Sequence, residues 1–130
     1  MQLNQITLPV KNIKECVQFY LTLGLTQIVD SPHYARFVCQ QSNNTFSIIH
    51  DDSDYKNGAV VYFEEENLDK WVEELQKKGL AFEQLPQDES YLWREAVLKD
   101  PSGNKIKLYW AGDNRLNPPW RVTIQTGEKT

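Results

Sequence analysis

Two stretches of this chain open on asparagine, close on glycine twelve residues later and carry the same apolar stripe between. Asn12 precedes Ile13, Cys16, Val17, Tyr20 and Leu21 before Gly24, and Asn67 precedes Leu68, Trp71, Val72 and Leu75 before Gly79. That 3.6-residue periodicity predicts two half-buried helices, with asparagine as N-cap and glycine as the left-handed stop. Glu15 stands where a capping box needs it, and Lys77 and Lys78 lie where a helix C-terminus favours cations. The stretches are offset by 55 residues, and strand-like runs at 5–10 and 60–65 lead into them. Downstream, runs at 26–29, 34–40 and 45–50 are answered by 81–84, 91–98 and 105–110. Arg36 matches Arg94 at an offset of 58, and 46–48 matches 106–108 at 60, so the second copy carries slightly longer turns. A repeat of this kind constrains the whole fold. Each unit reads strand–helix–strand–strand–strand, too small to bury its own sheet face and expected to pair with its copy.

The chain is therefore expected to be one α+β domain over 1–130, with module one at about 1–53, module two at about 57–110 and a tail at 111–130. Its 130 residues are 40% hydrophobic and 25% charged, a globular composition that can build a core without staples. A net charge of −4 with no local Lys/Arg cluster argues against a nucleic-acid partner. The longest apolar run, 59–63, has a strand's length and argues against a membrane span. The first five residues have neither a basic nor an apolar signal region, which points to the cytoplasm. Two cysteines, Cys16 and Cys39, are too few for a disulfide framework and read as buried, inert thiols. Asp100-Pro101-Ser102-Gly103-Asn104 is good turn chemistry, whereas Asn117-Pro118-Pro119-Trp120 cannot be helix. That second segment is expected to dock on its own or a neighbouring subunit.

The order and spacing of these units, with residues 6–25 in the first and 98–110 in the second, are similar to the vicinal oxygen chelate superfamily. That group includes glyoxalase I, extradiol dioxygenases, methylmalonyl-CoA epimerase and the fosfomycin- and bleomycin-resistance proteins. The likeness covers about residues 2–110, and 108–122 resembles a subset of small bacterial members of unassigned activity. It implies tandem βαβββ modules whose curved mixed sheets form an open barrel around a cleft, and a homodimer. In enzymatic members it also implies a divalent metal on the first and last strand of each unit. Those positions carry over to Gln5, Ser47, Val60 and Lys107.

As a donor set these four are poor. A divalent cation needs three or four converging O or N donors, with carboxylates or imidazoles carrying the affinity. Gln5 offers an amide oxygen, Ser47 a weak neutral hydroxyl and Val60 nothing. An ammonium about 4 Å from a doubly charged ion costs roughly 8 kcal/mol at an effective dielectric near 20, so Lys107 opposes a metal. The expectation is a lost metal site and no cofactor. A divalent metal stays open only at a rearranged set of Gln5, His50, Glu64 and Glu95. His33 reads as a solvated turn residue, and His50 with Asp52 and Asp54 as a solvated acidic turn. With two histidines and no motif around either, no nucleophilic relay can be nominated.

If the implied metal positions face inward, alternation places Gln5, Thr7, Ser47, Ile49, Val60, Tyr62, Glu64, Lys105, Lys107 and Tyr109 toward the cleft. The opposite faces, Ile6/Leu8, Phe46/Ile48, Val61/Phe63 and Ile106/Leu108, are apolar and suit packing beneath helices. Either Trp93 with Glu95, or Arg94 alone, points inward. An aromatic wall with a few placed charges is how small-molecule pockets are built. The reading that follows is a metal-independent binder of a compact aromatic or anionic ligand, held by Gln5, Ser47, Val60, Tyr62, Glu64, Trp93, Lys107 and Tyr109. A plainer reading has Trp93 and Tyr62 as core aromatics and Glu64 paired with Lys107. The competing one is a glyoxalase-, dioxygenase- or epimerase-type enzyme, with Glu64, Lys107 and Glu95 as catalytic candidates.

Overall fold

A computed structural model describes residues 1–54 and 56–126. The chain runs β1 (Gln5–Val10), α1 (Ile13–Leu23), β2 (Thr26–Ser31), β3 (Tyr34–Val38), β4 (Thr45–His50), β5 (Val60–Glu64), α2 (Leu68–Lys77), β6 (Gln84–Asp88), β7 (Arg94–Lys99) and β8 (Lys105–Trp110). The strands form two four-stranded mixed sheets, ordered β1-β4-β3-β2 and β5-β8-β7-β6, which do not close into a barrel. In each, the outer pair β1/β4 or β5/β8 is parallel and the rest antiparallel. No helix among the described residues is long and apolar enough to cross a membrane.

The helices begin and end where their capping residues place them, but the two N-caps are not equivalent. The Asn12 side chain accepts a hydrogen bond from the Glu15 backbone N–H at 3.0 Å, whereas Asn67 makes no side-chain cap bond. Of the first stripe, Cys16, Val17 and Tyr20 are buried and Leu21 is exposed; Phe19 and Leu23 take the remaining core places. The apolar sheet faces behave as alternation requires. Leu8, Phe46, Ile48, Val61, Ile106 and Leu108 are all buried, while Ile6 is exposed on the edge strand β1.

Two strands of module two depart from the sequence reading. The run at 81–84 is mostly loop, and β6 lies instead at Gln84–Asp88 with Pro86 inside it. A proline cannot donate to a ladder, but β6 is an edge strand paired only with β7, where that loss is tolerated. Likewise 91–93 precede β7: they belong to a tight turn in which the Leu92 N–H donates to Glu89 O and Leu92 takes φ 69°. Residue pairing across the modules also shifts. Arg36 lies opposite Ser47 and Val97 opposite Lys107, so Arg36 corresponds in space to Val97 and not to Arg94. Arg94 sits on the other face, forked onto Asp69 of α2 and bonded to Asp88.

The modules meet through α1, the ends of β1 and the β7–β8 turn. Tyr20 O–H donates to Asp100 Oδ2 at 2.6 Å, the Lys11 backbone N–H to Ser102 Oγ at 2.8 Å, and Asn104 Nδ2 to Pro9 O at 2.9 Å. Asp100 is itself buried and accepts from the backbone N–H groups of Ser102 and Asn104 at 2.9 Å each. Phe46 meets Phe63 edge to face at 6.0 Å, joining the helix-side surfaces of the two sheets. The opposite, polar sheet faces stay open: Gln5 and Thr7 are exposed, and Ile49 and Tyr62 each retain 44% of their surface.

Candidate functional site

Strand register decides which side chains share the polar face of the second sheet. Tyr62 lies opposite Lys107 and Glu64 opposite Tyr109 on β5/β8, and Glu95 opposite Tyr109 on β7/β8. The open parity of 93–95 is thereby resolved, with Trp93 and Glu95 on the Lys107 side and Arg94 on the other. Trp93 stacks on Tyr109 at 4.7 Å, and Tyr62 stands edge-on to both at 5.9 and 5.6 Å. Tyr91, not singled out by the sequence, closes the wall edge-on to Trp93 at 5.8 Å. Ring pairs of this geometry attract one another beyond simple area burial.

Beside the wall lies an ion pair. Lys107 Nζ is 2.8 Å from Glu95 Oε2 and 5.6 Å from the centre of the Tyr62 ring. Glu95 is only 3% exposed, and its other carboxylate oxygen accepts a hydrogen bond from Tyr91 O–H. That bond to Glu95 raises the Lys107 pKa and outweighs the opposing effect of burial. Burial, followed by the same carboxylate, raises the Tyr91 phenol, and burial with nearby Glu64 raises Tyr109.

The expected pairing of Glu64 with Lys107 is not what forms. Glu64 Oε2 accepts from the backbone N–H groups of Ala111 and Gly112 at 2.9 and 3.1 Å, and Oε1 lies 3.6 Å from Arg115 Nε. Where β8 ends, two amides are released from the ladder, and the carboxylate at the end of neighbouring β5 is the acceptor within reach. Glu64 therefore anchors the start of the tail.

On the first sheet Gln5 and Ser47 come together. Gln5 Nε2 donates to Ser47 Oγ at 2.8 Å, and Gln5 Oε1 accepts from Thr45 O–H. Among the described residues no hydrogen bond or ion pair joins Gln5 or Ser47 to Lys107. Val60, half-buried, faces Lys105 across β5/β8. The rearranged set is likewise dispersed: His50 Nε2 is 3.0 Å from Asp52, its ring 5.7 Å from His33, while Glu64 and Glu95 serve the partners above. No group of three or more His, Cys, Asp or Glu among the described residues is arranged to hold a metal ion. With an aliphatic at one implied position and a bonded ammonium at another, the donors present do not fit a divalent cation. Cys16 is fully buried, its thiol pushed up to about 11 by burial, and Cys39 is raised by the same cause.

The model of the Glyoxalase/Bleomycin resistance protein/Dioxygenase superfamily matches residues 2–108. The chain belongs to that superfamily. A glyoxalase/bleomycin resistance protein/dioxygenase from Nocardioides superposes with a TM-score of 0.75 at 18% identity, covering 95% of this chain and 90% of that one. A superfamily member from Sphaerobacter thermophilus DSM 20745 gives 0.71 at 19%, covering 85% and 97%. An integron cassette protein from the mobile metagenome of Halifax Harbour sewage outfall gives 0.73 at 17%, covering 84% and 97%. At such identities the likeness shows the superfamily's fold alone. No match is found among the curated proteins.

Proposed function

We propose that this superfamily member binds a compact aromatic small molecule without a metal, on the wall formed by Tyr62, Trp93 and Tyr109. The observation that carries the reading is the Lys107–Glu95 pair at 2.8 Å. An ammonium stands at a position that the superfamily resemblance assigns to a metal ligand, and a buried carboxylate of the neighbouring strand neutralises it. Binding by shape and ring contacts requires no Lewis acid, and an aromatic wall with one placed charge suits that task. Both polar faces are open within one chain, so the reading includes a homodimer in which a second copy encloses the wall.

The test combines metal content with ligand stabilisation. Protein purified without chelators is expected to carry far less than one equivalent of Zn, Ni, Mn or Fe. Small aromatic compounds should raise the melting temperature of the wild type in proportion to the logarithm of their concentration, and lose that effect in Trp93→Ala. Near-stoichiometric metal, or stabilisation indifferent to Trp93, would overturn the reading.

A further inference from the structure

The first sheet holds a second polar array, built on two residues that neither the metal positions nor the aromatic wall includes. Register places Tyr34 opposite Ile49 and Arg36 opposite Ser47 on β3/β4. The corresponding places in module two are Glu95 opposite Tyr109 and Val97 opposite Lys107. On each polar face one cation lies against one acid, Lys107 on Glu95 in module two and Arg36 on Tyr34 in module one. In module two the acid is a carboxylate and the pair is neutral. In module one the acid is a phenol, so the guanidinium keeps its charge. Arg36 Nε donates to Tyr34 Oη at 3.0 Å, and its charged carbon lies 5.4 Å from the Tyr34 ring centre. No carboxylate among the described residues forms an ion pair with Arg36.

Ser47 is fully buried and its oxygen accepts from Gln5 Nε2 at 2.8 Å. Its own hydrogen therefore needs a protein acceptor, and the one at hand is Tyr34 Oη, 2.6 Å away. With Ser47 as donor, Tyr34 Oη receives two hydrogen bonds, from Ser47 and Arg36, and its own O–H is left to donate to a further partner. The array ends in surplus donors: the Tyr34 hydroxyl and the two terminal nitrogens of a half-buried guanidinium. The same surroundings lower the Tyr34 pKa, chiefly through the bond to Ser47. A planar fork of N–H groups beside an O–H is complementary to an oxyanion held bidentately.

We propose that Arg36 and Tyr34, buttressed by Ser47 and Gln5, form an oxyanion-binding site on the first sheet that takes a compact carboxylate or phosphate group. The site stands on its own residues and does not depend on the aromatic wall of the second sheet.

Full-length protein is titrated with sodium benzoate and with inorganic phosphate at constant ionic strength, followed by calorimetry and by the amide resonances of residues 34–36 and 47. Saturable binding of at least one probe is expected, and which of the two binds identifies the anion class. Arg36→Gln should weaken it about tenfold or more, and Tyr34→Phe by a smaller factor. Lys14→Gln, which removes the same charge from α1, should leave it unchanged. Titration with benzamide, a ring without the charge, reports on the second sheet instead, through its dependence on Trp93. The oxyanion site is overturned if neither anion perturbs those resonances, or if folded Arg36→Gln and Tyr34→Phe bind as the wild type does. Either result leaves the benzamide result to be judged separately.

Discussion

Lys107 illustrates how a single residue type can redirect a site. With Glu95 only 3% exposed, truncating the lysine leaves a buried carboxylate held by Tyr91 alone. Lys107→Met is expected to cost about 3 kcal/mol of unfolding free energy, because an uncompensated buried charge is costlier than a missing pair. Adding Glu95→Gln should return more than half of that loss, and urea denaturation of both singles and the double closes the cycle. The pH dependence has a definite sign. Pairing raises the lysine's folded pKa, so its contribution is complete below the unfolded value of about 10.4. It is lost as pH rises through the folded value, and wild type should lose more stability there than Lys107→Met. The sequence showed the ammonium at once, but not its partner. Parity along 93–95 could not be settled because the turn before it places a leucine, Leu92, at φ 69° with no glycine to mark the spot. Tyr34 and Arg36 were missed for a related reason. Matching Arg36 to Arg94 by spacing hid the fact that cross-strand register puts the two on opposite faces.

Among the elements, those with local signals were legible: both helices, β4 and β8 begin and end within a residue of where periodicity and caps place them. β6 was not, because Pro86 argues against a strand unless one already knows it lies at an edge. The repeat also overstates its own symmetry. Asn12→Ala should cost about 1 kcal/mol, since it removes a real cap bond, whereas Asn67→Ala should change stability by less than about 0.5 kcal/mol. Equilibrium urea unfolding of the two variants would reveal that asymmetry. The turn over 100–104 was legible as a turn, yet its larger role depends on contacts with residues eighty or more positions away. Tyr20→Phe removes the hydrogen bond to the buried Asp100 carboxylate and is expected to cost about 2 kcal/mol, as bonds to charged groups do. Because that bond joins the modules, amide exchange should accelerate at 102 and 104 together with α1, not in α1 alone.

At the scale of the whole molecule, the two sheets spend their apolar faces on the helices and on each other, and leave their polar faces without cover. Ile49, Tyr62 and Tyr91 stay 38–44% exposed there, and Trp120, Val122 and Ile124 of the tail are exposed to 57–84%. On the proposed reading a second copy of the chain covers them, since closed pairs of identical chains are the commonest assemblies. The tail is aimed by Glu64, whose carboxylate holds the Ala111 and Gly112 amides, and by a glycine at φ 57° packed closely on its neighbour: a Cβ on Gly112 would crowd the Trp110 ring at 3.0 Å. If a pair forms through the tail and the polar faces, loosening this joint should weaken it without unfolding either module. Sedimentation equilibrium should give twice the 15.2 kDa chain mass for the wild type. Glu64→Ala should shift the equilibrium toward the single chain by about tenfold or more while leaving the far-ultraviolet spectrum unchanged. A wild type that sediments as one chain at every concentration, or a Glu64→Ala variant that pairs as tightly as the wild type, would mean that the exposed faces and tail are not joined in this way.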